Sequence, residues 1–465
     1  MLQPGLPDTY AAGRLWSSDE LSCLAAGWRD VIDEVVGTEP CAVAVTGSAE
    51  GLALLAAASA RRAPVVVLGD VVAGQAAALP PGLPVMLPPS LAPMADACGA
   101  AGLRPVLLPD GASSTAPFIP LQTDGFVIFT SGSTGAPKPV FRPTSHVVDG
   151  AMARARALGL GEGDGLAGGV SFASGQGVVH ALTAMMLRGR LRLLGRVDYR
   201  EVLSAVADPL VACWRVSAQF ADVLGRVPLS HIPRVPSLCL ISSAVGDAVY
   251  DRFHTRFGVP LRGVYSSTET GAIAAESAPA ADVVRGTVGH PLPGVSIAIG
   301  DEPTDDGGDA DTSGRVWVRS PWQMAGYGLP PVVERPGDRD GWWPTRDLAS
   351  RESDGRLRLL GRLDDCIRSR EGRLVNLEAV AARIRNVDGV SAAVVVPMPA
   401  DVGVSFGAVV ESTAVDVGEL RERLASALDE WARPRAVRVV PSVPRLANGK
   451  PDRLACLALL SGAPT

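Results

Sequence analysis

Short apolar runs on either side of an alanine- and leucine-rich stretch form the clearest pattern near the start of the chain. In residues 41–70, CAVAVTGSAEGLALLAAASARRAPVVVLGD, two valine-rich runs flank an Ala/Leu segment. This arrangement is typical of a βαβ unit in a parallel sheet. Residues 41–70 are therefore predicted to form a strand, a loop, a helix and a second strand.

Strand-like and helix-like segments continue to alternate up to about residue 300. The strand-like runs are GFVIF at 125–129, RLRLLG at 190–195, PSLCLISSAV at 236–245 and PLRGVYSS at 260–267. The segment GDAVYDRFHTRFG, residues 246–258, is predicted to be a helix. The alternation predicts an α/β protein.

The pattern changes after residue 300. An acidic turn at 301–314 is followed by strand candidates at 314–320 and 355–362. Residues 378–444 predict helix, strand, helix and strand, which together form a small α+β domain. We place the boundary at the GRLDD segment, so that domains cover residues 1–363 and 364–465.

Composition narrows the class of protein. The chain has 465 residues, a net charge of −6 and no basic run, which argues against nucleic-acid binding. Its start lacks the pattern of a signal peptide, and the apolar run at 52–60 is too short to span a bilayer. The seven cysteines and five histidines lack metal-site spacing. We expect a cytoplasmic protein with reduced thiols and without a membrane or nucleic-acid partner.

The segment TSGSTGAPK, residues 130–138, is the first candidate for chemistry. Its glycines leave backbone N–H groups accessible, its hydroxyls add donors, and Lys138 adds a positive charge. These groups suit a polyphosphate, although a polar turn is an equally good interpretation of the loop alone. The spacing is not that of a Walker loop, because Lys138 follows a proline and no Ser or Thr comes after it. The loop residues in question are Thr130, Ser131, Gly132, Ser133, Thr134 and Gly135.

Six segments in a fixed order resemble the motifs of the adenylate-forming superfamily, which includes acyl-CoA synthetases, aryl-acid ligases, amino-acid adenylation domains and luciferases. They are TSGSTGAPK, YSSTETG at 265–271, RGTVGHPLPG at 285–294, TRDLA at 345–349, GRLDDCIR at 361–368 and PRLANGKPDR at 444–453. One such match is weak evidence, but six in register are strong. The resemblance implies a large N-terminal domain of layered mixed sheets with helices, and a small C-terminal α+β domain on a hinge.

The resemblance also implies roles for individual residues. Glu269 would bind Mg²⁺, a cation that prefers few carboxylates together with phosphate oxygens. Thr268 would lie close to the α-phosphate, and Asp347 and Arg362 would hold the ribose. The adenine would lie along Ser243, Ala244 and Val245, near Tyr265, Ser266 and Ser267. Each of these residues also has an ordinary structural interpretation: a surface glutamate, an ion pair, a buried strand end.

Only two of the 43 lysine and arginine residues are lysines, Lys138 and Lys450. A compact ammonium fits between a carboxylate and a phosphate where a planar guanidinium does not. By resemblance, Lys138 would follow the β- and γ-phosphates, and Lys450 would bridge the acid and the α-phosphate during catalysis. ATP and Mg²⁺ are the expected substrate and cofactor, and the pivot of the small domain would be Asp364.

The acid should not be an α-amino acid. The stretch VSFASGQG at 170–177 has Ala173 where amino-acid-activating relatives have an aspartate, so an α-ammonium would lack its counter-ion at a cost of about 2 kcal/mol. The predicted acyl pocket comprises Phe172, Ser174, Gly175, Gln176 and His180. His180, on an apolar helix, has a core role as its simpler interpretation. Small residues here favour an aryl or short unsaturated acid over a long chain.

The segment that would serve the second half-reaction departs from the family's pattern. The family transfers the acyl group to a thiol of CoA or of a carrier protein, but IRSREGR puts Glu371 where the family has a glycine. Transfer to an amine, activation of a small inorganic acid such as nitrite, and a silent nucleotide-binding regulator therefore stay open. The partners expected are a small carboxylic acid and an acyl carrier protein, and the chain is expected to be a monomer or homodimer.

Overall fold

The computed structural model describes residues 4–69, 73–130, 137–194, 199–228, 232–242, 245, 247–303, 313–334, 340–368, 374–399, 404–445 and 451–461. The strands of this part of the chain are β1 (Thr9–Ala11), β2 (Arg14–Trp16), β3 (Cys41–Ala44), β4 (Val65–Leu68), β5 (Pro84–Leu87), β6 (Arg104–Leu107), β7 (Gly125–Phe129), β8 (Pro139–Pro143), β9 (Gly165–Gly168), β10 (Leu191–Leu193), β11 (Val211–Arg215), β12 (Leu238–Ile241), β13 (Leu261–Ser267), β14 (Gly271–Ala275), β15 (His290–Pro291), β16 (Ser296–Ile299), β17 (Ser313–Arg319), β18 (Gly326–Leu329), β19 (Val332–Glu334), β20 (Trp343–Arg351), β21 (Leu357–Arg362), β22 (Cys366–Arg368), β23 (Leu374–Asn376), β24 (Ala392–Pro399), β25 (Val404–Glu411) and β26 (Ala436–Val440).

The α-helices are α1 (Ser18–Val36), α2 (Ala49–Ser59), α3 (Ala73–Ala76), α4 (Ala95–Ala100), α5 (Thr144–Ala157), α6 (Gly175–Leu187), α7 (Tyr199–Val206), α8 (Ala218–Arg226), α9 (Asp247–Phe257), α10 (Leu377–Arg385), α11 (Val417–Ala427) and α12 (Arg453–Ser461). Short 3₁₀ helices cover Pro89–Met94, Ala280–Asp282, Leu363–Asp365 and Glu430–Ala432. None of the described helices has both the length and the apolar character needed to span a membrane.

Two large mixed sheets carry most of the strands. The first has eight strands in the order β19-β18-β8-β7-β4-β3-β5-β6, and the second has nine in the order β15-β14-β13-β12-β11-β9-β10-β1-β2. Smaller sheets have the orders β16-β17-β20-β21, β22-β23 and β24-β25-β26. The predicted α/β class, with layered mixed sheets and a small α+β region at the C-terminal end, is confirmed.

The βαβ unit predicted at residues 41–70 is present. β3 and β4 are parallel, with Cys41 opposite Val65, and every residue of both strands is buried. Strands of a parallel sheet are covered on both faces, which explains why the two runs are apolar without alternation. Between them, α2 begins at the cap Ser48, whose side chain accepts a hydrogen bond of 3.0 Å from the Gly51 amide.

The parallel strands β9, β11, β12 and β13 form the middle of the nine-stranded sheet. Arg215, the last residue of β11, lies opposite Gly168 of β9 and Leu240 of β12. Ile241 of β12 lies opposite Gly263 of β13. Because parallel strands end at the same side, the residues that follow them meet at one edge, which we term the carboxyl edge.

The chain divides into two compact units. The first comprises Met1–Ser243, Tyr250–Ile297 and Val318–Trp343, and the second comprises Ala244–Val249, Ala298–Trp317 and Pro344–Thr465. The domain boundary predicted at residues 363 and 364 falls inside the second unit and stays a prediction about where the chain pivots.

The C-terminal part of the second unit has its own apolar core. Buried side chains of α10, α11 and the sheet β24-β25-β26 pack together there, among them Ile384, Leu420 and Val410. The helices and strands predicted at 378–444 correspond to α10, β24, α11 and β26. β25, the central strand of that sheet, is an addition that the sequence analysis did not predict.

Candidate functional site

The predicted phosphate loop joins two antiparallel strands, β7 and β8. Its two ends are held by reciprocal hydrogen bonds: the Thr130 amide donates to the Lys138 carbonyl at 3.0 Å, and the Lys138 amide donates to Thr130 Oγ1 at 3.0 Å. Ser131, Gly132, Ser133, Thr134 and Gly135 lie outside the described residues. The base of the loop is therefore fixed by the hairpin, and the lysine backbone belongs to that fixed base.

Glu269 lies in the turn between β13 and β14. The Ser267 hydroxyl accepts a hydrogen bond of 3.0 Å from the Thr270 amide and closes this turn. Gly271 follows with φ of +77°, and a Cβ there would come within 2.6 Å of Arg142 Nη2. Both the backbone angle and the space require glycine, which explains the last residue of the YSSTETG motif.

Tyr327 connects Glu269 with Lys138. Its hydroxyl donates a hydrogen bond of 3.3 Å to Glu269 Oε1, and Lys138 Nζ lies 5.3 Å from the centroid of its ring. The Glu269 main chain is held separately, because its carbonyl accepts from the Met324 amide at 2.7 Å. The turn and the base of the loop thus bring one carboxylate, one phenol and one ammonium together within the first unit.

A buried arginine lies beside this group. Arg142 is 2% exposed, and its Nη2 donates to the Trp322 carbonyl at 3.0 Å. Burial lowers the pKa of Arg142 to about 10, and the nearby Glu269 carboxylate acts in the opposite direction. A buried positive charge therefore lies close to the Glu269 carboxylate.

The residues around Glu269 fit a Mg²⁺–polyphosphate. Mg²⁺ is usually held by one or two carboxylates plus substrate phosphates. Glu269 accepts a single side-chain hydrogen bond from the described residues, through Oε1, which leaves Oε2 available to a cation. No cluster of three or more potential metal-binding side chains occurs in the described ranges, so a binuclear all-protein cage has no support there.

Thr268 lies against the start of α6, where the acyl pocket is predicted. A Cβ at Gly175 would lie 3.5 Å from Thr268 Oγ1 and 3.8 Å from Cγ2 of Ile128 on β7. The helix is capped by Ser174, whose hydroxyl accepts from the Gly177 amide at 3.0 Å. Thr268 and the positive end of α6 are therefore neighbours, which is an arrangement that favours a negatively charged reacting group.

Gln176 joins three elements at the carboxyl edge. Its Oε1 accepts hydrogen bonds from Arg215 Nη2 at 3.0 Å and from the Ser242 hydroxyl at 3.2 Å. Phe172, at the other side of the α6 cap, is fully buried in the apolar core of the first unit. Of the residues predicted to line the acyl pocket, Ser174 is thus exposed, Gln176 is half-buried, and Phe172 belongs to the core.

His180 and two arginines lie beneath Gln176. His180 is 2% exposed, and burial, then Arg215, then Arg154 lower its pKa to about 3. The imidazole is therefore neutral at physiological pH. Burial also lowers the pKa of Arg154, to about 9, and Arg215 adds to this effect. Sequence analysis predicted His180 as a pocket residue but missed both arginines. For Arg215 the signal was a charged residue inside the apolar run VACWRVS.

The predicted ribose pair lies in the second unit. Asp347 and Arg362 are directly opposite on the antiparallel strands β20 and β21, with Arg362 Nε 3.9 Å from Asp347 Oδ1. Thr345 accepts from the Asp347 amide at 3.2 Å and donates to the Val316 carbonyl at 2.7 Å. A buried threonine thus holds the backbone of the strand that carries Asp347.

Of the remaining predicted residues, some lie within the described part of the chain and others lie outside it. Tyr265 is 5% exposed on β13, and Ser266 follows it, half-buried. Val245 is half-buried. Ser243, Ala244, Glu371 and Lys450 lie outside the described residues, as does the side chain of Asp364.

The predicted hinge segment has a clear local structure on both sides of Asp364. Gly361 has φ of +133°, and a Cβ there would lie 2.1 Å from Asn376 Nδ2, which donates to the Leu360 carbonyl. Asp365, which is 8% exposed, forms an ion pair with Arg453. The first glycine and the second aspartate of GRLDD therefore have structural roles that explain their places in the motif.

A separate depression of about 360 Å³ lies at the opposite end of the same strands. Val211 and Leu238, the first residues of β11 and β12, are among the residues that line it. Ligands of open parallel sheets bind at the carboxyl ends of the strands, whereas this depression lies at their amino ends.

Residues 108–328 match the family model described as AMP-binding enzyme. The chain is 27% identical over 357 residues to the delta-poly-L-ornithine synthetase of Acinetobacter baumannii, covering 72% of this chain and 26% of that protein. It is 28% identical over 361 residues to the medium/long-chain-fatty-acid–[acyl-carrier-protein] ligase FadD10 of Mycobacterium tuberculosis, covering 71% of this chain and 66% of that ligase. The chain therefore spans about a quarter and about two thirds of the length of these two relatives.

The fold is that of a known solved structure. ATP-bound MatB from Rhodopseudomonas palustris superposes with a TM-score of 0.82 at 21% identity, covering 99% of this chain and 96% of that one. The fold and the carboxyl-edge motifs define an AMP-binding enzyme of mixed α/β architecture. The match over residues 108–328 and the fold support the adenylate-forming superfamily that the motif order predicted.

Proposed function

We propose that this chain is an ATP-dependent carboxylic acid ligase that forms an acyl adenylate and pyrophosphate, and then transfers the acyl group to a thiol of CoA or of a carrier protein. The observation that carries the proposal is the group formed by Lys138, Tyr327 and Glu269 at the base of the phosphate loop. The family of the chain and the acyl-carrier-protein ligase among its relatives support the same reaction.

The first step needs positioning and charge neutralisation more than proton transfer. A carboxylate oxygen attacks the α-phosphorus of ATP, a new O–P bond forms, and the bond to the β-phosphate oxygen breaks, so that its electron pair leaves with pyrophosphate. The acid is already ionised at neutral pH, and no general base is required. Mg²⁺, when bound, neutralises charge on the phosphates.

The residues of this chain are assigned to that step as follows. Lys138 follows the β- and γ-phosphates from the fixed base of the loop, and Glu269, oriented by the Tyr327 hydroxyl, supplies a carboxylate oxygen for the cation. Thr268 contacts the α-phosphate, and Lys450 bridges it to the acid in the transition state. Asp347 and Arg362 hold the ribose, and Tyr265, Ser266, Ser267 and the segment 243–245 border the adenine.

Acid-dependent pyrophosphate release tests the first half-reaction. We expect turnover with at least one non-α-amino acid from a panel of aryl, β-amino, dicarboxylic and medium-chain acids. Lys450→Ala and Glu269→Gln should each lower the rate about 100-fold or more, whereas Glu419→Gln, in an exposed helix ion pair, should leave it unchanged. The absence of acid-dependent release across the panel would favour a silent nucleotide-binding regulator instead.

The acceptor is a separate question, because Glu371 occupies the place of a glycine that lets the pantetheine approach in relatives. Mass spectrometry of a reaction with CoA should detect an acyl thioester. Adenylate accumulation without thioester, followed by amide formation when an amine is added, would contradict thiol transfer. It would support the amine-acceptor alternative while leaving adenylation intact.

A further inference from the structure

Arg215 is a buried cation whose hydrogen-bonding capacity is only partly used. It is 8% exposed; Nη2 donates to Gln176, but Nη1 is buried and has no hydrogen-bond partner among the described residues. A buried guanidinium is normally surrounded by acceptors, because each unsatisfied buried donor costs free energy. The burial of Arg215 Nη1 without a partner among the described residues therefore requires an explanation.

A second unsatisfied donor or acceptor lies beside it. His180 Nε2 is also buried without a partner in the described part of the chain. A Cβ at Gly168 would lie 3.5 Å from His180 Nε2 and 3.4 Å from Cβ of Arg215, so the two side chains approach each other at the end of β9. The absence of a side chain at Gly168 leaves space between them.

The cluster contains no carboxylate. Arg154 is 6% exposed, and no Asp or Glu of the described residues forms an ion pair with Arg154 or Arg215. The acidic group that acts on both is the thiol of Cys213, and burial raises its pKa to about 11, so it is neutral. Among the described residues, the two guanidinium charges are thus buried without a carboxylate counter-ion, an arrangement that is strongly unfavourable unless an anion is supplied.

The cluster lies next to exposed residues of the carboxyl edge. Ser174 and Ser242 are exposed at the carboxyl edge, and Gln176, half-buried between them, contacts Arg215 directly. The N-terminus of the 13-residue helix α6 is directed to the same place and adds a partial positive charge. An anion held there would lie beyond Gly175, which contacts Thr268 on the side of the predicted α-phosphate site.

We infer that Arg215, positioned by Gln176 and supported by Ser242 and His180, forms an anion subsite at the inner end of the acyl pocket. The substrate would accordingly be a carboxylic acid with a second carboxylate. This inference rests on the proposed ligase function: one carboxylate reacts with ATP near Thr268, and the other binds Arg215. It replaces the simple aryl or unsaturated monoacid expected from the small pocket residues with a short aliphatic or aryl diacid.

Matched pairs of acids test the inference. Pyrophosphate release is measured for acetate and malonate, propanoate and succinate, butanoate and glutarate, and benzoate and isophthalate. For at least one pair we expect kcat/KM of the diacid to exceed that of the monoacid at least tenfold, since a charge-assisted hydrogen bond in a buried site has that effect. Preference for the monoacid in every pair would overturn the inference and leave the ligase function intact.

Arg215→Met removes the charge but keeps most of the side-chain volume. It should reduce the diacid-to-monoacid ratio to about 1, mainly by raising KM for the diacid, and leave KM for ATP unchanged. The matched control is Arg61→Met, which removes a comparably buried arginine whose donors are bound by the protein itself. It should keep the ratio. An unchanged ratio in Arg215→Met would overturn the inference.

Binding without turnover separates the two proposals. The melting temperature of the full chain is measured with each diacid and monoacid in the absence of ATP. A rise caused by a diacid in the wild type, but not in Arg215→Met, supports the subsite even if no acid releases pyrophosphate, in which case only the ligase function fails. If neither turnover nor a diacid-specific rise is observed, the inference fails as well.

Discussion

Two buried arginines of the first unit, Arg61 and Arg215, have opposite surroundings. Arg61 is 5% exposed; Nε pairs with Asp33 at 2.9 Å, Nη1 donates to Cys41 Sγ at 3.3 Å, and Nη2 donates to the carbonyls of Gly37 and Glu39. Arg215 is 8% exposed and donates from Nη2 to one neutral amide.

The difference teaches that burial alone does not assign a role to an arginine. Arg61 lies just after α2, and its guanidinium binds groups at the end of α1 and in the turn that follows it. The protein itself therefore supplies the partners of this guanidinium. Arg215 ends a strand at the carboxyl edge, where its Nη1 has no hydrogen-bond partner among the described residues and is available to a ligand. The first pattern is that of a structural residue, and the second is that of a binding residue.

The largest expected change in the free energy of unfolding is that caused by Arg61→Met. Arg61→Met leaves two carbonyl oxygens and part of the Asp33 carboxylate without their donor, and we expect it to lower the free energy of unfolding by about 3 kcal/mol. Urea unfolding followed by fluorescence measures the loss. A decrease of less than about 1 kcal/mol in the free energy of unfolding would mean that water replaces the guanidinium. Arg61 would then not be the structural residue that the comparison with Arg215 requires.

The second largest effect should be the loss of stability at acidic pH that His180 causes. Its pKa is about 3 in the folded chain, because of burial first and then the two arginines, against 6.5 ordinarily. Between these values the unfolded chain binds a proton that the folded chain does not, so stability falls as the pH decreases. From pH 6 to 4.5 the loss attributable to His180 is about 2 kcal/mol.

The matched variant for this effect is His180→Gln, which does not titrate. Its free energy of unfolding should decrease less than that of the wild type over the same pH range. Parallel curves for the two proteins would show that the imidazole can be protonated in the folded chain. That result would require an anionic neighbour for His180 and would contradict the cationic surroundings of Arg215.

Arg215→Met should have a smaller effect of opposite sign to that of Arg61→Met. Removing an unpaired buried charge relieves its desolvation, and we expect the chain without ligand to become more stable by about 1 kcal/mol. The same urea experiment measures the gain. A loss of 3 kcal/mol, as for Arg61, would show that Arg215 is held by the protein and would remove the distinction between the two sites.

The smallest effect concerns Arg154 and Arg215 together. Arg215 disfavours the charged form of Arg154, so removing Arg215 relieves Arg154. A double-mutant cycle with Arg154→Met and Arg215→Met should therefore give a repulsive coupling of about 0.5 kcal/mol. The coupling should vanish or change sign when a diacid that the wild type turns over is present at saturation.

Residues that are neighbours in the chain were the ones that sequence could bring into a site. YSSTETG is one turn between two strands, and Asp347 and Arg362 belong to adjacent antiparallel strands joined by a short turn, so their motifs are local. The βαβ unit was predictable for the same reason: its apolar runs are continuous and its helix lies between them.

Residues that meet only through sheet order were missed. Arg154 and Arg215 come from α5 and β11, and they meet the predicted His180 of α6 because β11 pairs with β9 as well as with β12. Tyr327 reaches Glu269 from β18, a strand of the other large sheet. No periodicity in the sequence encodes these pairings, and β25 was missed in part because its apolar run follows directly on that of β24.

Gln176 has a consequence for how substrate preference could change. In the chain without ligand, the neutral Gln176 carbonyl oxygen accepts a hydrogen bond from one guanidinium nitrogen of Arg215 and so fixes the orientation of the other. Because the guanidinium is ordered before the ligand arrives, binding costs less conformational entropy. A single acidic substitution, Gln176→Glu, would supply an internal counter-ion and neutralise Arg215 from within. The same fold would then be expected to reject dianions and accept uncharged acyl tails. This one substitution would thus invert the substrate preference.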